Sequence, residues 1–390
     1  MERLWTKSFV LLTLSMLFLF TGFYFLLPTF PIFVRQLGAN ETQIGIAAGL
    51  FTLAAVVFRP IVGELIDRYG RRAFVIWGLV FFIVSIYAYE WVGGLLVLFV
   101  LRIVHGMSWA FSTTSISAAT TDIIPASRRG EGMGWFGMAM TSAMAIGPLL
   151  GVWIMEHFSF HTLFLTAAIL SAIALTLAAS NRMPYRVSNQ KRRIVFFEKP
   201  LLPIMALIFF LTVSYGGITT FLPLFAESLS VNAGLFFLIY AIMLTLIRPV
   251  AGIISDKYGE TVVILPALAV TASAMIVLAF SAGPVGIFAA AVLYGIGFGS
   301  AQPSLQAAAL HLADPQRKGA ANASFLTAFD LGIGLGSILL GAVSQLMGYS
   351  QLFLLSAFSI AIALIIFTPI VGRMLKNQRE KSGNESSANR

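Results

Sequence analysis

Arg59-Pro60-Ile61-Val62-Gly63-Glu64-Leu65-Ile66-Asp67-Arg68-Tyr69-Gly70 stands 189 residues ahead of Arg248-Pro249-Val250-Ala251-Gly252-Ile253-Ile254-Ser255-Asp256-Lys257-Tyr258-Gly259. Arg, Pro, Gly, Asp, Tyr and Gly recur in register, at six of twelve positions. The same offset carries Gly106 onto Gly295, Gly130 onto Gly319 and Gly147 onto Gly336. One offset holding at four separate places marks an internal repeat about half the chain long.

Each copy of the repeat lies in strongly apolar surroundings. The chain is 58% hydrophobic and 11% charged, less than half the roughly 25% charge of a soluble domain. No Asp, Glu, Lys or Arg occurs in residues 8–34, 132–155, 200–226 or 261–310. A helix crosses a hydrocarbon core in roughly 20 residues, so the first three runs each hold one crossing and the last holds two. Twelve spans are expected, at 8–32, 42–65, 73–91, 94–115, 132–155, 160–180, 200–224, 233–255, 262–281, 285–310, 321–344 and 351–371. The fold expected is all-α and integral to the membrane: twelve transmembrane helices in two pseudo-symmetric six-helix bundles.

The connections orient these spans. Loops on the side of both termini hold 21 of the 25 Lys and Arg residues, whereas the opposite side holds Arg35 against Glu41, Glu90, Glu156 and Glu227. Positive charge marks the cytoplasmic side, which places both ends in the cytoplasm of a prokaryotic inner (plasma) membrane. The formal +9 charge is thereby assigned to helix orientation and not to nucleic acid. The first apolar run has no small-residue cleavage site and reads as a retained helix. Residues 1–180 form the expected N-terminal bundle, 181–199 a basic cytoplasmic linker, 200–371 the C-terminal bundle and 372–390 a flexible tail. The absence of cysteine excludes disulfides and thiolate chemistry, and the four histidines lack metal-ligand spacing. No metal, cofactor or catalytic constellation is expected, and the chain does not read as an enzyme.

A few polar residues stand out against this background. Gly63 suits close helix approach, Gly70 suits a positive φ, and Arg68, Arg71 and Arg72 suit an anionic surface. Asp67 is a lone carboxylate on a basic face. It is expected to pair with arginines or with the N-terminus of span 11 as a conformational latch, with Asp256 as its echo; the alternative is local neutralisation by Arg68 or Arg71. Arg102 lies well inside span 4, where a cation needs an acceptor or water, and is expected to face an aqueous cavity and bias a nearby acid; the alternative is a brace to a backbone carbonyl. His105 follows it, either as a coupling group or as a neutral hydrogen-bonding histidine. Asp330 is the carboxylate nearest the middle of any span and reads as a reversible proton site or as a structural cap.

Gly147, Pro148 and Gly151 give span 5 a small, bendable face that suits either a gate or packing alone. Thr21, Tyr24, Tyr215, Thr219, Thr220, Tyr240, Arg248, Tyr294 and Gln302 are the polar groups expected to line a substrate cavity, with Phe and Met as adaptable apolar contacts.

Gly63-x-Leu65-x-Asp67-Arg68-x-Gly70-Arg71-Arg72 resembles the signature between the second and third helices of the major facilitator superfamily, and the Gly252 to Gly259 stretch resembles its second-half echo. Arg102-x-x-x-Gly106 resembles a second signature, with His105 where glutamine is common. Gly134 and Gly147-Pro148-x-x-Gly151 resemble the exporter motif, with Ala143 and Val152 in place of its usual glycines. The resemblance spans residues 8–371 and implies alternating access, a role for Arg102 in proton coupling, and likeness to compact proton-driven drug and metabolite exporters. The function expected is export of a small organic, amphipathic compound in exchange for protons. Uptake by symport or facilitated diffusion is the alternative, and a transporter-like sensor the alternative of another class. Expected partners are the small-molecule substrate, protons and membrane lipids, with no nucleic acid, on a monomer.

Overall fold

The computed structural model describes residues 3–125, 128–181, 183, 198–314 and 318–375. Most of the expected linker and nearly all of the expected tail lie outside the described residues. Among the described residues, twelve helices are long and apolar enough to cross a membrane. They are α1 (Lys7–Gln36), α2 (Glu41–Tyr69), α3 (Arg71–Ala88), α4 (Leu95–Ile123), α5 (Arg129–His157), α6 (Phe160–Ala179), α7 (Leu202–Ser228), α8 (Ala233–Tyr258), α9 (Glu260–Ala279), α10 (Pro284–Leu312), α11 (Lys318–Met347) and α12 (Tyr349–Ile366). There is no strand among the described residues.

Several helices overrun the expected spans, because polar residues continue a helix beyond the apolar stretch until a turn residue stops it. Helix α2 runs on through Asp67, Arg68 and Tyr69 and ends at Gly70, whose φ of +92° a residue with a Cβ would adopt only under strain. Gly259 ends α8 in the same way, at φ +96°. In both places a single residue separates two helices. At the start of α2 a reciprocal cap forms, with Asn40 accepting from the Gln43 backbone and the Gln43 side chain accepting from that of Asn40.

The chain divides into two compact units. Unit 1 is built on α1–α6, and the stretches 222–227 and 232–238 belong with it; unit 2 comprises the remainder of α7–α12. Within unit 1, α1 packs on α5 and α6, α2 on α4, and α3 on α4 and α6. Within unit 2, α9 packs on α10 and α12, and α11 contacts α10 and α12.

Small residues set the closest approaches. In unit 1 a Cβ on Gly106 would collide with the Phe51 carbonyl of α2, and one on Gly147 would lie 2.5 Å from the Tyr24 Cβ of α1. In unit 2 a Cβ on Gly332 would collide with Thr212 and the Phe209 carbonyl of α7, and one on Gly336 would lie 2.8 Å from the Val213 Cα. Gly63 departs from expectation: a Cβ there would meet nothing within 4 Å, so no helix approaches it closely.

Candidate functional site

In unit 1 the polar centre is built on Arg102. The residue is 7% exposed, and such burial of a cation needs compensation. Its Nε donates to the Ala47 carbonyl of α2 at 2.8 Å and its Nη1 donates to the Tyr89 hydroxyl at 3.3 Å. Its guanidinium carbon lies 4.1 Å from the Phe30 ring centre and 4.5 Å from that of Phe51, within cation–π range. The Tyr89 hydroxyl also lies 2.9 Å from His105 Nδ1.

With Arg102 donating to the phenol oxygen, the phenol hydrogen is free to point at Nδ1, which leaves the imidazole proton on Nε2. That Nε2 is buried and has no hydrogen-bond partner among the described residues. The Phe82 and Phe51 rings lie 4.8 and 5.0 Å from the imidazole. Arg102 is therefore a brace to a backbone carbonyl with a neutral histidine behind it, in aromatic surroundings. The expectation that it faces an aqueous cavity is corrected: the side chain is buried and is held by one carbonyl, one phenol and two rings.

The 2–3 turn of unit 1 holds the expected latch residues. Arg71 Nε lies 2.5 Å from Asp122 Oδ2, close but off-angle for a hydrogen bond, while its Nη2 donates to Asp122 Oδ1 at 3.3 Å. Arg71 also reaches Asp67 at 3.6 Å. This places Asp67 beside the first residue of the next helix, across the Gly70 turn, as the local pairing with Arg71 requires. Arg68 lies over the ring of Tyr69, and Arg72 donates to the Ala179 carbonyl at 3.3 Å. Asp256, in the corresponding place in unit 2, is exposed and has no ion pair among the described residues.

Gly147 and Gly151 seat α5 against Tyr24 and Phe25 of α1, with Pro148 between them. The contact is one of helix packing.

In unit 2 five rings stack in sequence. Tyr240 lies 5.6 Å from Tyr294, Tyr294 lies 5.4 Å from Phe298, Phe298 lies 5.0 Å from Tyr215, and Tyr215 lies 6.3 Å from Phe329. Tyr240 and Tyr294 are completely buried, and the Tyr294 hydroxyl is 3.2 Å from Ser214 Oγ. Thr219 donates to the Tyr215 carbonyl, and Thr220 pairs with Ser337 of α11 at 3.0 Å. Tyr294, Thr219 and Thr220 are corrected from cavity lining to helix packing, because their hydroxyls are buried and already hydrogen-bonded inside the unit, and Tyr240 is buried against the Tyr294 ring.

Tyr215, Arg248 and Gln302 are partly exposed. Arg248 Nη2 donates to Gln302 at 3.5 Å, Gln302 to Gln306 at 3.3 Å, and Gln306 to Asn322 of α11 at 2.7 Å. Asp330 is half-buried on the same helix, two turns beyond Asn322 and beside Phe329. Unit 2 thus carries an aromatic step, a strip of amides ending in a guanidinium, and one carboxylate. In unit 1 the expected lining residues are modest: Thr21 donates to its own helix at Leu17, and Tyr24 lies among Phe20 and Phe23.

Sequence reading missed Tyr89, Asp122, Gln306, Asn322, Phe298 and Phe329. The offset of 189 could have found one of them, since it maps Arg71 onto Glu260 and Asp122 onto His311. Glu260 and His311 form the corresponding hydrogen-bonded pair in unit 2. Tyr89 carries no such signal, for its neighbours Glu90 and Trp91 read only as membrane-edge residues.

Comparison with known proteins agrees with this architecture. The Major Facilitator Superfamily model matches residues 12–337 and 204–389. A staphylopine export protein of Staphylococcus aureus is 27% identical over 86% of this chain and 89% of its own length. A class H tetracycline resistance protein of Pasteurella multocida is 26% identical over 77% and 80%. Among solved structures, a bacterial homologue of the human lysosomal transporter Spinster superposes with a TM-score of 0.82 at 14% identity, covering 97% of this chain and 99% of its own. The nucleoside transporter NupG superposes at 0.74 with 16% identity, covering 93% and 98%. Twelve membrane-spanning helices, an internal repeat at the family's signature turn and a family match over most of the length lead to one conclusion: the chain is a membrane transporter and belongs to the Major Facilitator Superfamily.

Proposed function

We propose that this transporter exports a small, amphipathic organic compound from the cytoplasm in exchange for protons, by alternating access, with both termini cytoplasmic. The observation that carries the proton-coupled part is Asp330, the carboxylate near the middle of a span. It stands half-buried on α11, next to the aromatic step and two turns from the amide strip. A carboxylate in such a place can change its proton affinity when its exposure changes. Arg102 supplies fixed positive charge with no carboxylate paired to it among the described residues, and disfavours a second cation nearby. His105, paired with the Tyr89 hydroxyl, acts in this reading by positioning Arg102 and relays no proton.

Similarity to an export protein and a resistance protein over most of both chains supports the outward direction. The aromatic step of Tyr215, Phe298 and Phe329 suits the apolar part of a substrate, and the Arg248–Gln302–Gln306–Asn322 strip suits its polar part.

Everted membrane vesicles test the direction, with a substrate taken from an accumulation and susceptibility screen of cells with and without the protein. Acid-inside vesicles accumulate the compound if the chain is an exporter exchanging it for protons. Accumulation only from acid-outside vesicles would instead assign uptake by symport.

A further inference from the structure

The internal repeat reproduces a groove as well as a turn. In unit 1 a groove of about 470 Å³ is lined by Tyr69, Gly70, Arg71, Arg72 and Ile76 among others; in unit 2 one of about 640 Å³ is lined by Tyr258, Gly259, Glu260, Thr261 and Leu265, the same positions plus 189. The cations of the two grooves differ in how they are used. Arg71 is paired with Asp122 and Arg72 is bonded to a backbone carbonyl. In unit 2 the basic residue is Arg373, which comes from the stretch that follows α12, is exposed, and has no ion pair or hydrogen bond among the described residues.

The chain reaches Arg373 through a wide turn. Pro369 has no N–H to give the carbonyl four residues back, and Phe367–Val371 accordingly adopts π-helical form, with the Gly372 N–H returning to the Phe367 carbonyl. The floor of the groove is apolar, with Leu265 and Phe367. Val262, Leu265 and Ile370 around it expose apolar side chains, as a lipid-facing surface does. Glu260, the acid on the rim, is taken up by His311.

We propose that this groove, between the start of α9 and the stretch that follows α12, holds one anionic phospholipid, with its phosphate on Arg373 and its chains against Leu265 and the exposed Val262 and Ile370. An unspent cation above an apolar floor, at the end of a membrane-spanning helix, matches an anionic headgroup above acyl chains. The chain's own continuation fits less well, since residues 376–390 contain four basic residues against two acidic ones and would bring like charge to Arg373. The inference rests on insertion in a membrane and is independent of substrate, coupling and transport direction.

The test is native mass spectrometry of the full-length protein, released from micelles holding equal phosphatidylglycerol and phosphatidylcholine. Wild type retains one phosphatidylglycerol in preference to phosphatidylcholine. Arg373→Gln lowers that preference about fivefold, the worth of one basic side chain at a headgroup surface, and Arg373→Lys keeps it. Thr368→Trp, which fills the groove and leaves Arg373 in place, also abolishes it. Unchanged preference in both Arg373→Gln and Thr368→Trp overturns the proposal. So does displacement of the retained lipid by millimolar glycerol phosphate, which would make this a site for free phosphates.

Discussion

The two units share a frame and differ in chemistry. At the 2–3 turn a guanidinium on α3 meets a carboxylate on α4; at the 8–9 turn a carboxylate on α9 meets an imidazole on α10, at the same two repeat positions with the acidic and basic residue types exchanged. The difference deepens inside the bilayer. Arg102 and His105 of α4 correspond to Ala291 and Tyr294 of α10, whereas Asp330 of α11 corresponds to Thr141 of α5. A repeat preserves what packing requires, namely glycines at close approaches and turns at positive φ. Buried charge is expensive wherever it lies, so each unit keeps it only where its own neighbours satisfy it. Unit 1 thereby holds a braced cation and unit 2 a carboxylate beside a polar strip, and the proposed proton exchange assigns them separate roles.

The largest effect is expected at a shared packing feature. Gly332→Val forces α11 off α7 and should lower stability by about 3 kcal/mol, the upper part of the usual overpacking range, with loss of folded protein in thermal unfolding on detergent-solubilised samples. Gly63→Ala should leave the same unfolding curve in place, because the space around Gly63 is open. Equal damage from the two would mean that close approach is not what distinguishes these glycines.

Next comes the unit 1 cation. Arg102→Ala should cut transport on the order of 100-fold and Arg102→Lys about tenfold, since a charged hydrogen bond contributes roughly 1.5–3 kcal/mol and lysine restores charge without the fork. The measurement is initial efflux rate at matched membrane abundance. Tyr89→Phe removes the shared hydroxyl and should cost about 1–3 kcal/mol of stability through the unsatisfied groups left behind. If Tyr89→Phe unfolds at the wild-type temperature, the phenol is not holding Arg102 and His105 together.

The smallest effect belongs to the exchanged clasps. His311 is largely exposed, so Glu260→Arg alone should cost under about 1 kcal/mol. The double variant with His311→Asp, which copies the unit 1 arrangement, should recover most of it. A double variant worse than the single one would show that the two turns are not interchangeable.

Much of the fold was legible because membrane burial leaves coarse marks: charge-free runs, basic loops on one face and a constant offset between repeats. Gly70 could be read because a glycine in a short turn suits a positive φ, although the turn expected over about seven residues is a single-residue break. The site was less legible. A tyrosine or threonine in an apolar helix has the same letter whether it lines a cavity or bonds a helix; Tyr294 and Thr220 bond a neighbouring helix, and Thr219 bonds its own. Arg102 was found by its depth, yet its acceptors come from α2 and from the turn before α4, which no local pattern announces. Asp67 reaches Arg71 across the Gly70 turn, one of the arginines its isolated carboxylate was expected to meet.

The division of labour between the units meets its most direct test at Asp330. Asp330→Asn keeps the shape of the side chain and removes its titration, so acid-inside everted vesicles carrying it should fail to accumulate substrate while still exchanging labelled for unlabelled substrate at near the wild-type rate. Uphill accumulation driven by the pH gradient in that variant would contradict the account and make Asp330 a structural acid.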